Sequence, residues 1–144
     1  MAIQQGLTNS FKQEMLQSGQ NLATDTLYMA LYTAFSDIGQ LTTEYTTSNE
    51  VTGTGYAAGG VEVTGATIST QTTGPDAGTV YVNFDNVSWP GASFTARGAL
   101  IYNVTQSNKS VAVLDFGSDK TFSSVSNTVT MPVNSATTAL IRFP

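Results

Sequence analysis

Apolar side chains recur every four residues at Leu7, Phe11 and Met15, with Leu16 beside them, while Lys12, Gln13, Glu14 and Gln17 fill the opposite side. One stripe at that spacing predicts a helix of roughly ten to twelve residues. Gly19 is its expected C′ residue, because glycine takes a positive φ at no steric cost. So short a helix is marginal alone and must lie against something, either the chain's own sheet or a neighbouring subunit. From Asp25 the period changes to two: Leu27, Met29 and Leu31 alternate with Tyr28, Ala30 and Tyr32, a strand seen from both faces. Residues 41–60 break the pattern. Thr42, Thr43, Thr46, Thr47, Thr52 and Thr54 crowd the segment, little in it could form a core, and it reads as a long loop that contacts something.

Strand patterns then follow at short intervals. One runs from Val61 and Val63 toward Ile68, interrupted at Gly65, and Gly74-Pro75-Asp76 marks the next turn. Val80, Val82 and Phe84 form another. Pro90-Gly91 precedes the most apolar stretch, Phe94 to Tyr102, and residues 111–116 alternate after it. Val129, Met131 and Val133 make a strand whose end Pro132 demotes to an edge or bulge, and Ala139, Ile141 and Phe143 close the chain. One helix and seven or eight strands predict an all-β domain, a β-sandwich or jelly-roll-like fold with an N-terminal α-helix. The expected division is a single domain over 1–144, with an arm and helix at 1–20 and a sandwich at 25–144 carrying the loop 41–60.

Composition sharpens this picture. A chain of 144 residues is the length of one domain, and area scaling buries about two-thirds of its surface, enough for one core. Charged residues are 10% of the chain, against about 25% in an average domain. Their place is taken by 23 Thr and 14 Ser, which defend a surface poorly against association. Ten acidic side chains against five basic ones give a net charge of −5. Without a basic cluster the chain suits neither nucleic acid nor an anionic membrane. No apolar run reaches the roughly 18–20 residues of a membrane span. Met1 to Gly6 has neither the basic start nor the apolar core of a secretory signal, so synthesis in the cytosol is expected. The chain has no Cys and no His, which removes thiolate ligands, disulfides and the usual general base.

Several motifs invite chemistry and fit it badly. Gly53, Gly55 and Gly59 lack dinucleotide-loop spacing and precede no helix. Asp115-Phe116-Gly117 spells a kinase triplet without the lysine strand or catalytic loop that gives it meaning. Asp115 and Asp119 flank Gly117 in an expected turn, where they either cap backbone or offer oxygen ligands to calcium. A hydrolase without histidine would need an Asp/Glu pair such as Asp85 with Asp115. Arg97, inside an apolar stretch, needs a partner: Asp85 or Asp115, or an acid across a subunit boundary. Asn86, Asn103 and Asn108 open acceptor sequons that mean nothing without secretion. Tyr45, Tyr56 and Trp89 sit in or near expected loops, where rings either cover a core or form a recognition surface.

Gly6-Leu-Thr-Asn-Ser-Phe-Lys-Gln-Glu-Met-Leu16 leads into Asp25-Thr-Leu-Tyr-Met-Ala-Leu-Tyr-Thr33, followed by Glu44-Tyr-Thr-Thr-Ser-Asn-Glu-Val-Thr-Gly-Thr-Gly-Tyr-Ala-Ala-Gly-Gly60. Thr95-Ala-Arg-Gly-Ala-Leu-Ile-Tyr-Asn103, Val111-Ala-Val-Leu-Asp-Phe-Gly-Ser-Asp-Lys120 and Ala139-Leu-Ile-Arg-Phe143 come after. In this order, over nearly the whole chain, they resemble small virion structural proteins of tailed bacteriophages, and in particular head decoration (cement) proteins. That resemblance implies a jelly-roll-like sandwich on the capsid surface, assembled in the host bacterial cytoplasm. It implies the major capsid protein and further copies of the chain as partners, commonly in a homotrimer. No catalytic, cofactor or metal residues come with it. The expected contact residues are Leu7, Phe11, Met15, Tyr45, Tyr56 and Arg97. A tail-fibre or receptor-binding module gripping a host glycan through Tyr45, Tyr56 and Trp89 is the alternative.

Overall fold

The computed structural model describes residues 2–123 and 127–144. A short strand β1 (Gly6–Leu7) precedes the helix α1 (Asn9–Leu16) and strand β2 (Leu27–Tyr32). Then come β3 (Val61–Val63), β4 (Thr67–Thr70), β5 (Val80–Asn83), β6 (Val87–Ser88), β7 (Ser93–Asn103), β8 (Lys109–Ser123), β9 (Thr128–Val129) and β10 (Ile141–Phe143). The fold is all-β with one short helix. Five strands form one antiparallel sheet in the order β1-β8-β7-β2-β3; β10-β5-β4 form a second and β6-β9 a third.

The helix is shorter than its sequence pattern. Leu7 belongs to β1, opposite Ala112 of β8, and helix geometry starts only after Thr8. Thr8 is the reason: its side-chain oxygen accepts from the Phe11 N–H at 3.3 Å, an N-cap that fixes the first turn. At the far end Ser18, not Gly19, takes the positive φ of 57°. Gly19 sits one place later and donates to the Glu14 carbonyl, closing the turn. A Cβ on Gly19 would meet the Glu14 carboxylate and displace that side chain. The helix lies on the chain's own β8, with Phe11 fully buried. Glu14 pairs with Lys109 at 2.6 Å, fastening α1 to that strand. Met15 and Leu16, assigned to the same stripe as Phe11, face away, and Leu16 is 90% exposed.

Other expectations change in register. The pattern from Val61 to Ile68 splits at Gly65 into β3 and β4, which join different sheets. The predicted 111–116 strand extends to Ser123 through a bulge: Gly98 faces Asp115 and Ala96 faces Lys120, so Arg97 alone stands opposite residues 116–119. The expected turn at Gly117 is that bulge, and the glycine's φ of 76° permits it. Near the end, β9 stops at Val129; Met131 is buried as a single residue and Val133 is 75% exposed.

One face of the five-stranded sheet contributes Leu27, Met29, Leu31, Ala99 and Ile101 to a core shared with Val82 and Ile141 of the three-stranded sheet. Trp89 closes it, edge-on to Phe94 and Phe122, which stack on each other at 4.6 Å. The opposite face supplies Ala30, Tyr32, Leu100, Tyr102 and Val113 to a second cluster with Ile3 and Ile38. The sheet is therefore covered on both sides. The accessible surface of the chain is 7410 Å², close to the roughly 7,100 Å² that area scaling gives for one folded chain of this mass. Among the described residues no helix is long and apolar enough to cross a membrane.

Candidate functional site

The segment between β2 and β3, whose residues 41–60 are expected as a long loop with little that could form a core, is tied down by many hydrogen bonds. It works as a strap over the second face of the five-stranded sheet. On one side, Asn49–Val51 lies along β2 where β3 ends: Thr33 N–H donates to the Asn49 carbonyl, and Val51 N–H to the Leu31 carbonyl. Tyr32 and Glu50 form an isolated antiparallel bridge there. On the other side, Tyr45 N–H donates to the Asn108 carbonyl and Ser110 N–H to that of Thr43, pairing the strap with the start of β8. Between them Gln4 donates to Ile38, and Asn9 to Gln40. The strap seals an edge on each side of the sheet.

Its local geometry follows from a few residues. Asn49 holds a φ of 60°, a left-handed conformation asparagine tolerates, and turns Glu50 inward. Gly60 holds a φ of 80° against β2, where any Cβ would overlap the Met29 carbonyl. Val51 is 2% exposed and belongs to the main core, which the threonine-rich composition concealed.

Glu50 is the hub. Its carboxylate is buried, with residue exposure of 8%, and no cation lies among its hydrogen-bond partners. Oε1 accepts from the Tyr56 hydroxyl at 2.7 Å and from the Gly59 N–H at 2.7 Å; Oε2 accepts from the Tyr45 hydroxyl at 2.6 Å. Tyr56 in turn accepts from the Leu31 N–H at 2.9 Å. Tyr102 donates to the Gly59 carbonyl and stacks on Tyr45 at 4.7 Å, and Tyr32 donates to the Thr46 carbonyl. Burial, reinforced by the nearby Glu50 charge, pushes the phenols of Tyr32, Tyr45 and Tyr56 well above the usual tyrosine range. The same causes push Tyr102 up to about 12. The hub is an acceptor ringed by donors, and what that arrangement does chemically is fasten the strap.

The other expected site residues separate. Phe11 is inside the core and Leu7 is packed against it, so neither stands free for a partner. Met15 is 38% exposed. Tyr45 and Tyr56 are half-buried with their hydroxyls on Glu50. Arg97 reaches Asp119 at 3.2 Å and Asp115 at 3.9 Å across the bulge, so its intrachain partners are Asp115 and Asp119. Its guanidinium lies between the carboxylates that sequence offered to calcium, and Asp115 Oδ1 also caps the Gly117 N–H at 2.8 Å. Asp85 instead accepts from Thr64 and shares no partner with Asp115. Trp89, counted among the loop aromatics, is 2% exposed. The sequon residue Asn103 is fully buried, donating to Gln20 and Asp25.

The residues that do stand out are others. Leu16 at the end of α1, Leu41 and Phe35 on the strap, and Val133 are 90%, 84%, 79% and 75% exposed. The strap holds Leu41 beside the helix start, since its neighbours Gln40 and Thr42 bond Asn9 and Ser10. Periodicity assigned Leu16 to a buried stripe and passed over Leu41 and Phe35; isolated apolar residues in a polar stretch were the available signal. No known protein family, no curated protein and no solved structure matches the chain.

Proposed function

We propose that this chain is a virion structural protein of a tailed bacteriophage, a head decoration protein that binds the major capsid protein and neighbouring copies of itself, commonly as a trimer. The observation that carries this reading is the contrast between a closed body and its exposed apolar residues. The sheet is covered on both faces, yet Leu16, Phe35 and Leu41 stand in solvent on the helix and strap. Leu16 and Leu41 lie on the helix and the loop 41–60, the two segments expected to contact something, and Phe35 lies on the strap just before that loop. Five- and three-stranded sheets sharing one core support the sandwich, jelly-roll-like form that the resemblance implies. Function follows by linkage: a protein that binds only the mature shell stabilises it by RT ln(1 + [L]/Kd) at each site, summed over many sites.

The alternative, a glycan-gripping tail-fibre module, loses its aromatic platform here. Trp89 is in the core, and Tyr45 and Tyr56 commit their hydroxyls to Glu50. The deciding experiment compares purified particles with and without the protein under mild heating and osmotic shock. Earlier genome loss from the depleted particles is expected, with restoration by wild-type protein and none by a Leu16→Ser, Phe35→Ser, Leu41→Ser triple variant. Equal robustness of depleted and complete particles refutes the proposal.

A further inference from the structure

We draw no further inference here: the strongest candidate, the open groove of about 560 Å³ between β8 and the β9–β10 segment, lined by Leu114, Phe116, Phe122, Val129 and Leu140, carries nothing because the bulge at residues 116–119 interrupts the strand edge along it and nothing in the structure shows what covers it.

Discussion

Replacing Glu50 with alanine removes the acceptor for three donors at once: the hydroxyls of Tyr45 and Tyr56 and the N–H of Gly59. A buried donor left without a partner costs about 1–3 kcal/mol. Tyr45 and Tyr56 are half-buried and recover part of this through water, and the variant no longer desolvates a carboxylate. The net loss expected is about 3 kcal/mol, which for a chain of this size lowers Tm by roughly 9 °C. Glu50→Gln keeps an oxygen for Tyr56 and Gly59, and the Tyr45 hydroxyl can rotate to accept from the new amide. Its cost is about 1 kcal/mol, the value of a single net hydrogen bond. Thermal unfolding by circular dichroism measures the total, and amide-resolved hydrogen exchange locates it. In the alanine variant the amides of Thr33, Tyr45 and Val51, which tie the strap to β2 and β8, exchange first. An alanine variant within about 0.5 kcal/mol of wild type, the usual range for a surface change, with those amides still protected, refutes the hub.

Alkaline titration tests the phenols around it. Their folded pKa values are raised, so their contribution to stability is complete below the ordinary tyrosine value near 10. It is lost progressively as pH climbs from that value through the raised folded ones, the Tyr102 value being pushed up to about 12. Absorbance at the phenolate band then rises for Tyr32, Tyr45, Tyr56 and Tyr102 only with unfolding; four groups ionising near 10 in a folded protein contradict the geometry. Asp25 has the opposite sign. Burial raises its pKa, but bonds from Asn21, Asn103 and Gln106 outweigh that and leave it lowered. Its contribution is present above the ordinary aspartate range and fades as pH falls through the lowered value; Asp25→Asn flattens that acid limb of a stability-against-pH curve. Trp89 is the only tryptophan, so its emission is blue-shifted, resists iodide and does not respond to oligosaccharides. Quenching at the rate of free indole refutes its burial. Trp89→Ala costs about 3–5 kcal/mol by chemical denaturation.

Much of the fold was legible because period-two alternation reports directly on burial. β2, β5 and β7 stand within a residue of where Leu27–Tyr32, Val80–Phe84 and Phe94–Tyr102 placed them. Shortfalls have separate causes. Leu7 kept a helical spacing while pairing with β8, since a capping threonine outranks one more apolar position in starting a helix. The bulge at Gly117 hid the second half of β8, because a positive-φ glycine inside a strand looks like its end. The hub was illegible for a different reason. A buried glutamate held by phenols and a glycine N–H uses partners that carry no opposite charge, so charge patterning does not reveal it. Tyr45 and Tyr56 were singled out for their rings, whereas their hydroxyls hold the strap to Glu50.

Low charge and sheet edges together explain why the strap is so firmly held. With 10% charged residues the chain has only three lysines with which to blunt exposed strands. It covers long edges with backbone instead. The outer side of β2 is taken by β3 and then by Asn49–Val51, while Tyr56 occupies the Leu31 N–H between them. The outer side of β8 is taken by Thr43–Tyr45 and by β1; further along, the Gln5 side chain accepts from Asp115 N–H and that of Asn127 from Ser123 N–H. Along these covered stretches ladder addition, the unspecific route to association, is closed. What the helix and strap offer instead is side chains, Leu16, Phe35 and Leu41, whose fit depends on the shape of the partner. Association through side chains can be selective for one surface, which is what the proposed decoration role calls for. Variants of the hub and of the exposed tips therefore divide in phenotype. Loss of Glu50 uncovers edges and produces concentration-dependent aggregation, whereas the triple serine variant stays monodisperse and only fails to bind particles. Light scattering on both variants distinguishes them, and aggregation of the serine variant would reverse the roles assigned to strap and tips.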